Sequence, residues 1–451
     1  MSARYGEEYL VDFIVQCFAP IRREKNISSE QAIADAEVLL LLMQLTYGAY
    51  SYYGGDQVFI PIFDRIIEDF SAKDVWNTEH RIGDFANVFH KHLGGVITDN
   101  HFAVAYDIIG ETNRDDFILG GLNTIDFYVG ETTFIKTKHG FQAKDSGLYL
   151  ESIPGYDLFQ IMRLIINDDG DISYSPIINM PGSNNNPTYP INLVYRNGEQ
   201  ETVSLLRYEP HQMNVRDKVF LLHRDDIPII KIMRMGPPND TEAHKFFEYA
   251  EELKDEPVII IDIRSNVGGS SILPAKFLHR LLDELVPSNC VTLELGSQQD
   301  YLDMWAAAPS DNPWYIPIDE VNMYYPTIPF GESHHVSNHT PDAIIINKPL
   351  LILLTDRFTY SAAERFIDLS LNLKNCLIIG QNTGGMIQTT GGPGFYLPNS
   401  GITVNFGQGL FLFPENTYAE GVGFTPDLWA TGDALEAALA LIENYGGNIN
   451  D

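Results

Sequence analysis

The chain has 451 residues, of which 44% are hydrophobic, and its 61 acidic and 29 basic residues give a formal net charge of -32. Because this length exceeds the size at which single cores stop growing, the composition predicts a globular protein of two or three domains. The excess negative charge would repel a phosphate backbone and an anionic membrane surface. Nucleic acid is therefore not expected as a partner.

The chain carries few signals of compartment. Its three cysteines, Cys17, Cys290 and Cys376, are odd in number and far apart, which indicates free thiols rather than a disulfide framework. The N-terminus has acidic residues where a secretory signal has basic ones, and the apolar run 38–43 is too short to cross a bilayer. Acidity suits an extracellular setting, so we expect an extracytoplasmic protein whose signal is absent from this chain, with the cytoplasm as the alternative.

An N-terminal helical region is predicted for residues 1–112. Apolar residues recur at three- and four-residue intervals in the segments 32–45 and 58–70, which is typical of amphipathic helices. Ser28 with Gln31 forms a capping-box pattern ahead of the first segment.

A small β-rich module is predicted for residues 113–212, where short β-like stretches alternate with turn residues. Its strongest signal is the segment 191–205, in which apolar and polar residues alternate around Asn197-Gly198. This pattern predicts a β-hairpin.

The remainder, residues 213–451, is predicted to be an α/β domain, because continuous apolar strands alternate with helical patterns. The predicted strands are 257–263, 349–354 and 376–379, and the predicted helices are 273–285, 362–373 and a last one between Asp433 and Gly446. Uninterrupted apolar strands imply that both faces of the sheet are covered.

Ser361 is the candidate nucleophile. It lies in Thr359-Tyr360-Ser361-Ala362-Ala363-Glu364, between an apolar strand and a helix whose N-terminus favours developing negative charge. Ser-x-x-Glu is also the capping-box pattern, so this segment alone is more typical of a structural N-cap.

A second segment, from Asp262 to Gly269, reads Asp-Ile-Arg-Ser-Asn-Val-Gly-Gly and follows another buried strand. Paired glycines let backbone N–H groups approach a ligand closely. The N–H groups of Gly268, Gly269 and Ala362 are candidates for an oxyanion hole, which would stabilise the charge on an attacked carbonyl. The alternative is a turn that merely requires positive φ.

Taken together and in order, the two segments resemble the serine peptidase family of tail-specific (C-terminal processing) proteases and the tricorn protease core. The resemblance implies an α/β fold with a crotonase-like (ClpP/crotonase) catalytic domain. The β-rich module, with its Asn197-Gly198 hairpin, resembles the PDZ-type domain that many members carry. Such a module would bind a peptide as an added strand.

The resemblance also bears on the general base. Tail-specific members use a lysine about twenty-five residues after the nucleophile, but the matching stretch, residues 380–386, ends in Met386. Methionine cannot accept a proton. Lys374 is close in sequence, but it falls near the end of a helix and is expected to be solvated.

The tricorn-like branch uses a histidine from the N-terminal region and a glutamate near the C-terminus. Asp99-Asn100-His101 resembles the first motif, although Asn100 departs from the usual glycine or serine, and the segment around Glu420 resembles the second. The resemblance implies that Ser361 attacks, His101 takes its proton and Glu420 orients the imidazole, with Asp99 as a competing orienter. Histidine suits this role, since its unperturbed pKa is about 6.5.

Three histidines, His334, His335 and His339, raise the alternative of a zinc site, but their stretch is loop-like and has no helical ligand spacing. No metal and no organic cofactor are expected. The sequence therefore predicts a serine endopeptidase or C-terminal processing peptidase that acts on peptide or protein substrates through an acyl-enzyme. The alternatives are an inactive relative that binds a peptide or a hydrophobic ligand, and an esterase or acyl-CoA-type enzyme.

Overall fold

The protein is described by a computed structural model covering residues 24–78, 84–104, 125–182, 186–209, 219–294, 323, 335–336, 344–392, 394–414 and 417–445. The helices are α1 Ser29–Thr46, α2 Asp56–Phe70, α3 Phe85–Leu93, α4 Leu158–Ile161, α5 Thr241–Glu252, α6 Ile272–Leu282, α7 Ala362–Ser370 and α8 Ala434–Tyr445.

The strands up to residue 207 are β1 Asn26–Ser28, β2 Val75–Asn77, β3 Ala103–Val104, β4 Ile125–Val129, β5 Phe134–Thr137, β6 Gly140–Ala143, β7 Leu150–Ser152, β8 Met162–Ile166, β9 Ile172–Pro181, β10 Thr188–Tyr195 and β11 Gln200–Arg207. The later strands are β12 Val219–Arg224, β13 Ile227–Ile232, β14 Val258–Asp262, β15 Val291–Glu294, β16 His335–Val336, β17 Leu350–Thr355, β18 Cys376–Gly380, β19 Gly394–Tyr396, β20 Thr403–Asn405, β21 Gly409–Leu412 and β22 Leu428–Ala430.

The N-terminal helices form as their sequence predicts. The Ser28 hydroxyl accepts the Gln31 N–H at 3.3 Å and the Gln31 side chain accepts the Ser28 N–H at 2.9 Å, which completes the capping box of α1. The buried faces of α1, α2 and α3 form one hydrophobic cluster with residues far along the chain, including Phe395 and Phe406. The helical region thus packs against residues 395–410.

The predicted hairpin is confirmed by the antiparallel pairing of β10 with β11. The Gly198 N–H donates to the Tyr195 carbonyl at 2.9 Å, and Gly198 has a φ of 88°. A turn followed by a left-handed glycine is the three-residue hairpin loop with a bulge. The Asn-Gly signal therefore identified the hairpin correctly, with Gly198 alone in the left-handed region.

A mixed sheet organises the rest of the described chain. Its strands lie in the order β12-β13-β14-β17-β18-β22-β8-β9-β4-β11-β10-β7. The six strands from β13 to β8 are parallel, whereas β12 and β9 pair antiparallel at either end of this set. The sheet crosses the predicted boundary between residues 212 and 213, because β8 of the β-rich module pairs with β22. The domain bounds themselves stay a prediction.

Helices cover both faces of the parallel part, as the apolar strands predicted. Ile259 and Ile261 of β14 contribute to the cluster that contains α5, α6 and α7, whereas Ile260 between them contributes to the cluster that contains α8. Alternate side chains of a strand point to opposite faces, so β14 is buried on both sides. The fold is a mixed α/β architecture.

Parallel strands bring their following loops to one edge of the sheet. The segments after β14, β17, β18 and β22 therefore meet there, and they contain Gly268, Ser361, Met386 and Thr431. Cys290 and Cys376 are free thiols, and Cys17 lies outside the described residues. Among the described helices, none is both long and apolar enough to span a membrane.

Candidate active site

Ser361 lies at the N-terminus of α7 in an unusual backbone conformation. Its φ is 54° and its ψ is -117°, which places a residue with a side chain in the left-handed half of φ space. Such a conformation costs on the order of 1–3 kcal/mol and is most frequent at active sites. Its side chain is half-buried, and the buried strand β17 and helix α7 hold the turn from both sides.

His101 lies directly opposite this serine although 260 residues separate them in sequence. Its Nε2 is 3.1 Å from Ser361 Oγ, which is within hydrogen-bonding distance. His101 follows α3 and precedes β3, so the N-terminal region supplies it to the carboxyl edge of the sheet. The residue pair selected from the sequence is thus brought together.

Asp99 holds the backbone of the histidine loop. One carboxylate oxygen accepts the His101 N–H at 2.9 Å, and the other accepts the Tyr47 hydroxyl at 3.0 Å. The Thr389 hydroxyl lies within 3.1 Å of both oxygens. Burial raises the pKa of Asp99 to about 6, whereas these hydrogen bonds favour its charged form.

Glu420 binds the histidine loop at Asn100, the residue next to His101. Its Oε1 accepts the Asn100 N–H at 2.9 Å, and its Oε2 accepts the Gln388 N–H at 2.9 Å and the Tyr418 hydroxyl. Burial, followed by the nearby charge of Asp99, raises the pKa of Glu420 well above its usual range. Both candidate orienters therefore hold backbone groups of the segment 99–101.

Gly268 lies against the nucleophile, and Gly269 packs against the Met235 backbone. A Cβ on Gly268 would lie 2.7 Å from Ser361 Cβ, and one on Gly269 would lie 1.7 Å from the Met235 carbonyl oxygen. Glycine is thus required at both positions for close approach, and both have positive φ. The Gly268 N–H already donates to Asn266 Oδ1 at 3.0 Å, which leaves Gly269 and Ala362 as the stronger candidates for oxyanion donors.

Glu364 has a larger part in the site than a capping box. Its fully buried carboxylate accepts the N–H of Ser361 at 3.0 Å and, from the loop after β18, the N–H groups of Gly385 at 2.8 Å and Met386 at 2.7 Å. The Thr383 hydroxyl donates to it at 2.6 Å. Glu364 thereby fastens this loop to the nucleophile turn. The Ser-x-x-Glu spacing was the signal for one of these contacts, and nothing in the sequence indicated the other three.

Two more buried polar side chains support the turn and were missed from the sequence. Asp356 accepts the Ser265 N–H and the Phe358 N–H, both at 2.9 Å, and so joins the loops after β14 and β17. Arg357 donates to the carbonyls of Gly421 at 3.0 Å and Val422 at 2.9 Å. In the sequence they appear only as charged residues after a buried strand. Many surface loops have the same pattern, so it does not single these residues out.

The position where tail-specific members have lysine is occupied by Met386, whose backbone N–H contacts Glu364. Lys374 is exposed beyond the end of α7, as its sequence position predicted. The stretch 331–339 lies outside the described residues except for the backbone of β16. Within the described part of the chain, no cluster of histidine, cysteine and carboxylate side chains could hold a metal ion.

These features are those of a serine hydrolase: a serine on a strained strand-to-helix turn, a histidine within hydrogen-bonding distance, and a glycine against the nucleophile. Residues 226–429 match the model of peptidase family S41. This match covers just under half of the chain, and it confirms the resemblance to tail-specific serine proteases.

The chain is also similar to solved structures over most of its length. Mature CPAF matches with 13% identity and a TM-score of 0.47 over 93% of this chain and 98% of that chain. A peptidase from Parabacteroides merdae, described as putative, matches with 15% identity and a TM-score of 0.42 over 94% and 98%. The photosystem II D1 C-terminal processing protease matches with 14% identity and a TM-score of 0.38 over 91% and 94%. At these TM-scores the similarities carry no conclusion about this chain. No curated protein matches significantly.

Proposed function

We propose that the protein hydrolyses peptide bonds through an acyl-enzyme formed on Ser361, with His101 as the general base. The observation that carries this proposal is the 3.1 Å separation of His101 Nε2 and Ser361 Oγ, combined with the strained φ of the serine. A separation of this size allows direct proton transfer from the hydroxyl to the imidazole.

In the proposed reaction, Ser361 Oγ attacks the carbonyl carbon of the scissile bond while His101 Nε2 takes the hydroxyl proton. The N–H groups of Gly269 and Ala362, with Gly268 lining the same space, stabilise the negative charge on the carbonyl oxygen. The imidazolium then gives its proton to the leaving amine as the carbon–nitrogen bond breaks. Water, deprotonated by His101, hydrolyses the ester and regenerates the serine.

Glu420 is proposed as the acidic member of the site, with Asp99 as the competing one. Both carboxylates bind backbone N–H groups of the segment 99–101, so both fix where the imidazole stands. Glu420 also binds the Gln388 N–H, which connects the histidine loop to the loop that follows β18. This second contact favours Glu420 as the residue that keeps the histidine in register with the serine.

Two finer features stay proposals that rest on the sequence resemblance: a crotonase-like catalytic domain and a PDZ-like module that adds a peptide strand. The extracytoplasmic site of action stays a proposal that rests on the acidic composition. The proposal covers both endopeptidase and C-terminal processing activity. Mass spectrometry of products from a peptide with a blocked C-terminus distinguishes the two activities.

The nucleophile is tested by labelling the folded protein with a serine-reactive phosphonate and mapping the modified peptide. We expect labelling at Ser361 and none in the Ser361→Ala variant. Casein turnover should fall at least 1,000-fold, on the order of a lost nucleophile or base, in Ser361→Ala and His101→Ala alike. Ser270→Ala, a nearby serine outside the proposed chemistry, is the matched control. Turnover that survives both substitutions would leave only the binding role or another site.

A further inference from the structure

A cavity of about 610 Å³ lies between the β-rich module and the parallel sheet. Its apolar lining includes Ile165 of β8, Leu206 of β11 and Trp429 of β22, with Tyr208 beside them. This volume is within the range of about 300–1,000 Å³ typical of ligand sites. Ser361, His101 and Glu420 do not line it, so it is separate from the candidate catalytic residues.

The cavity shares an edge of the sheet with the nucleophile. Trp429 pairs with Gly380 on β18, and Gly380 pairs with Thr355 at the end of β17. Ser361 follows β17. Adjacent strands are about 4.8 Å apart, so β22 lies roughly 10 Å from β17. An extended polypeptide of a few residues would span this distance at about 3.3 Å per residue.

Two donors at the cavity have no acceptor within the described structure. Trp429 is 1% exposed, and its Nε1 has no hydrogen-bond partner among the described residues. The Nε of Arg207 also has no partner among them, although the Arg207 side chain is 23% exposed. Buried polar atoms are normally paired, so an orphaned donor in the lining of a cavity indicates an acceptor that arrives with a ligand. The Arg207 guanidinium is meanwhile anchored to Asp126 at 2.9 Å, which fixes its position.

The charge around the cavity indicates what kind of ligand fits. Exposed Lys144 stands at the rim together with exposed Glu131, Asp171 and Glu209, so both signs of charge are present. A uniformly anionic ligand would meet these acids, and a purely apolar one would leave the Trp429 donor unpaired. A polypeptide segment supplies carbonyl acceptors, an apolar side chain and charges of either sign.

We propose that this cavity binds a segment of the polypeptide substrate remote from the scissile bond. A substrate carbonyl accepts the Trp429 Nε1–H, and an apolar substrate side chain packs against Leu206 and Tyr208. This inference rests on the proposed function, since it assigns a second contact to the same substrate. It also gives the junction between the module and the sheet a role in substrate selection.

The experiment measures binding of fluorescein-labelled β-casein by anisotropy to the full-length Ser361→Ala protein, which binds without turnover. Adding Trp429→Phe removes the donor and keeps an aromatic ring, although a smaller one, and no hydrogen bond of Trp429 Nε1 within the described structure is lost. We expect the dissociation constant to rise about three- to tenfold, as for the loss of one hydrogen bond. Adding Thr431→Trp at the exposed mouth instead blocks the cavity, with a larger rise expected. Thr202→Trp, on an exposed face of β11 away from the lining, is the matched control.

Equal casein affinity in all of these variants, or no casein binding by the Ser361→Ala parent, would overturn the cavity proposal. A small molecule that copurifies with the parent in native mass spectrometry and is lost in Trp429→Phe would overturn it in favour of a different ligand. Phosphonate labelling of Ser361 is read separately in the Trp429→Phe enzyme with its serine intact. Labelling of Ser361 in this variant, together with unchanged casein affinity, would reject the cavity proposal and leave the peptidase proposal intact. Absence of labelling would reject the peptidase proposal.

Discussion

At the scale of single residues, the site depends on buried carboxylates as much as on Ser361 and His101. Glu364 accepts four hydrogen bonds, and Asp99 and Glu420 each bind backbone N–H groups of the histidine loop or its neighbours. Burial raises the pKa of Glu364, but four donors stabilise its ionised form. We expect these carboxylates to position Ser361 and His101 rather than to react themselves.

Glu364→Gln should impair the positioning of Ser361 as well as the stability of the fold. The amide nitrogen of glutamine cannot accept, so two of the four donors would lose their acceptor inside the protein. We expect the free energy of unfolding to fall by about 2–4 kcal/mol, on the order of one or two lost hydrogen bonds to a charged group. We also expect kcat to fall at least tenfold with little change in KM, because the Ser361 N–H and the loop 383–386 lose a common anchor.

Urea unfolding and casein kinetics at a temperature where the variant is folded check this prediction. Glu436→Gln, an exposed first-turn glutamate of α8 whose partner is Arg224, is the control and should change stability by less than about 1 kcal/mol. A Glu364→Gln enzyme that is destabilised but keeps its kcat would reduce Glu364 to a structural residue.

Asp99 should make stability depend on pH. Its pKa is about 6 in the folded protein and about 3.9 in an unfolded chain, so between these values the folded state binds more protons. Its stabilising contribution is therefore complete below about pH 4 and is lost as the pH rises through about 6. Asp99→Asn should make the fall in unfolding free energy over this interval shallower by up to about 1.4 kcal/mol per pH unit.

Urea titrations at half-unit steps from pH 4 to pH 7 measure that slope. Asp255→Asn is the control, since the hydrogen bond and ion pair with Lys348 lower the pKa of Asp255 below its usual value. An Asp99→Asn slope equal to that of the parent protein would show that another carboxylate carries the pH dependence.

At the scale of elements, helices, the hairpin and the buried strands were predicted correctly where the signal lay in residues close together in the sequence. The capping box of Ser28 and Gln31, the apolar periodicity of α1 and α2, and the Asn197-Gly198 turn each depend on residues close together in the chain. The buried strands β14, β17 and β18 were predicted within one or two residues for the same reason. The turn around Ser361 was located, but its positive φ was not, because a serine rarely adopts that conformation.

The hairpin gives an element-scale prediction about Gly198. Open space surrounds its Cβ position, so only its φ of 88° opposes a side chain there. Gly198→Ala should therefore destabilise the protein by about 1 kcal/mol. Gly95 also has open space around it but no positive φ, so Gly95→Ala should be neutral or slightly stabilising. Thermal unfolding of the pair measures the difference, and equal melting temperatures would mean that β10 and β11 pair independently of the turn.

At the scale of the whole molecule, the site is assembled from segments that are distant in sequence. His101 comes from the helical region, Ser361 from the sheet edge and Glu420 from a loop near the C-terminus. Sequence reasoning found this set only through the family resemblance, because no local pattern joins residues 260 or more positions apart. The contacts that unite them, such as Thr389 with Asp99 and Asn100 Nδ2 with the Gly385 carbonyl, depend on tertiary packing alone.

Asp35 makes the attachment of the helical region testable. This fully buried residue of α1 accepts the Asn399 N–H at 2.9 Å and the Ser400 N–H at 2.8 Å, and the Asn399 amide donates to it at 2.9 Å. Asp35→Ala leaves one buried and two partly buried donors without their acceptor and should lower the unfolding free energy by about 2–4 kcal/mol. The same helix carries exposed Glu37, so Glu37→Ala is the matched control.

Loosening this attachment should reach the active site, because α1 and α3 share one hydrophobic cluster with the loop that follows α3 and carries His101. In Asp35→Ala we expect faster amide hydrogen exchange across residues 24–104 and a lower kcat, while exchange in β14 and β17 stays slow. The sheet has its own core on both faces, so it does not need the helical region to remain folded. If exchange rises uniformly over the whole chain instead, the helical region and the sheet unfold as one unit, and the position of His101 is fixed by global stability rather than by this attachment.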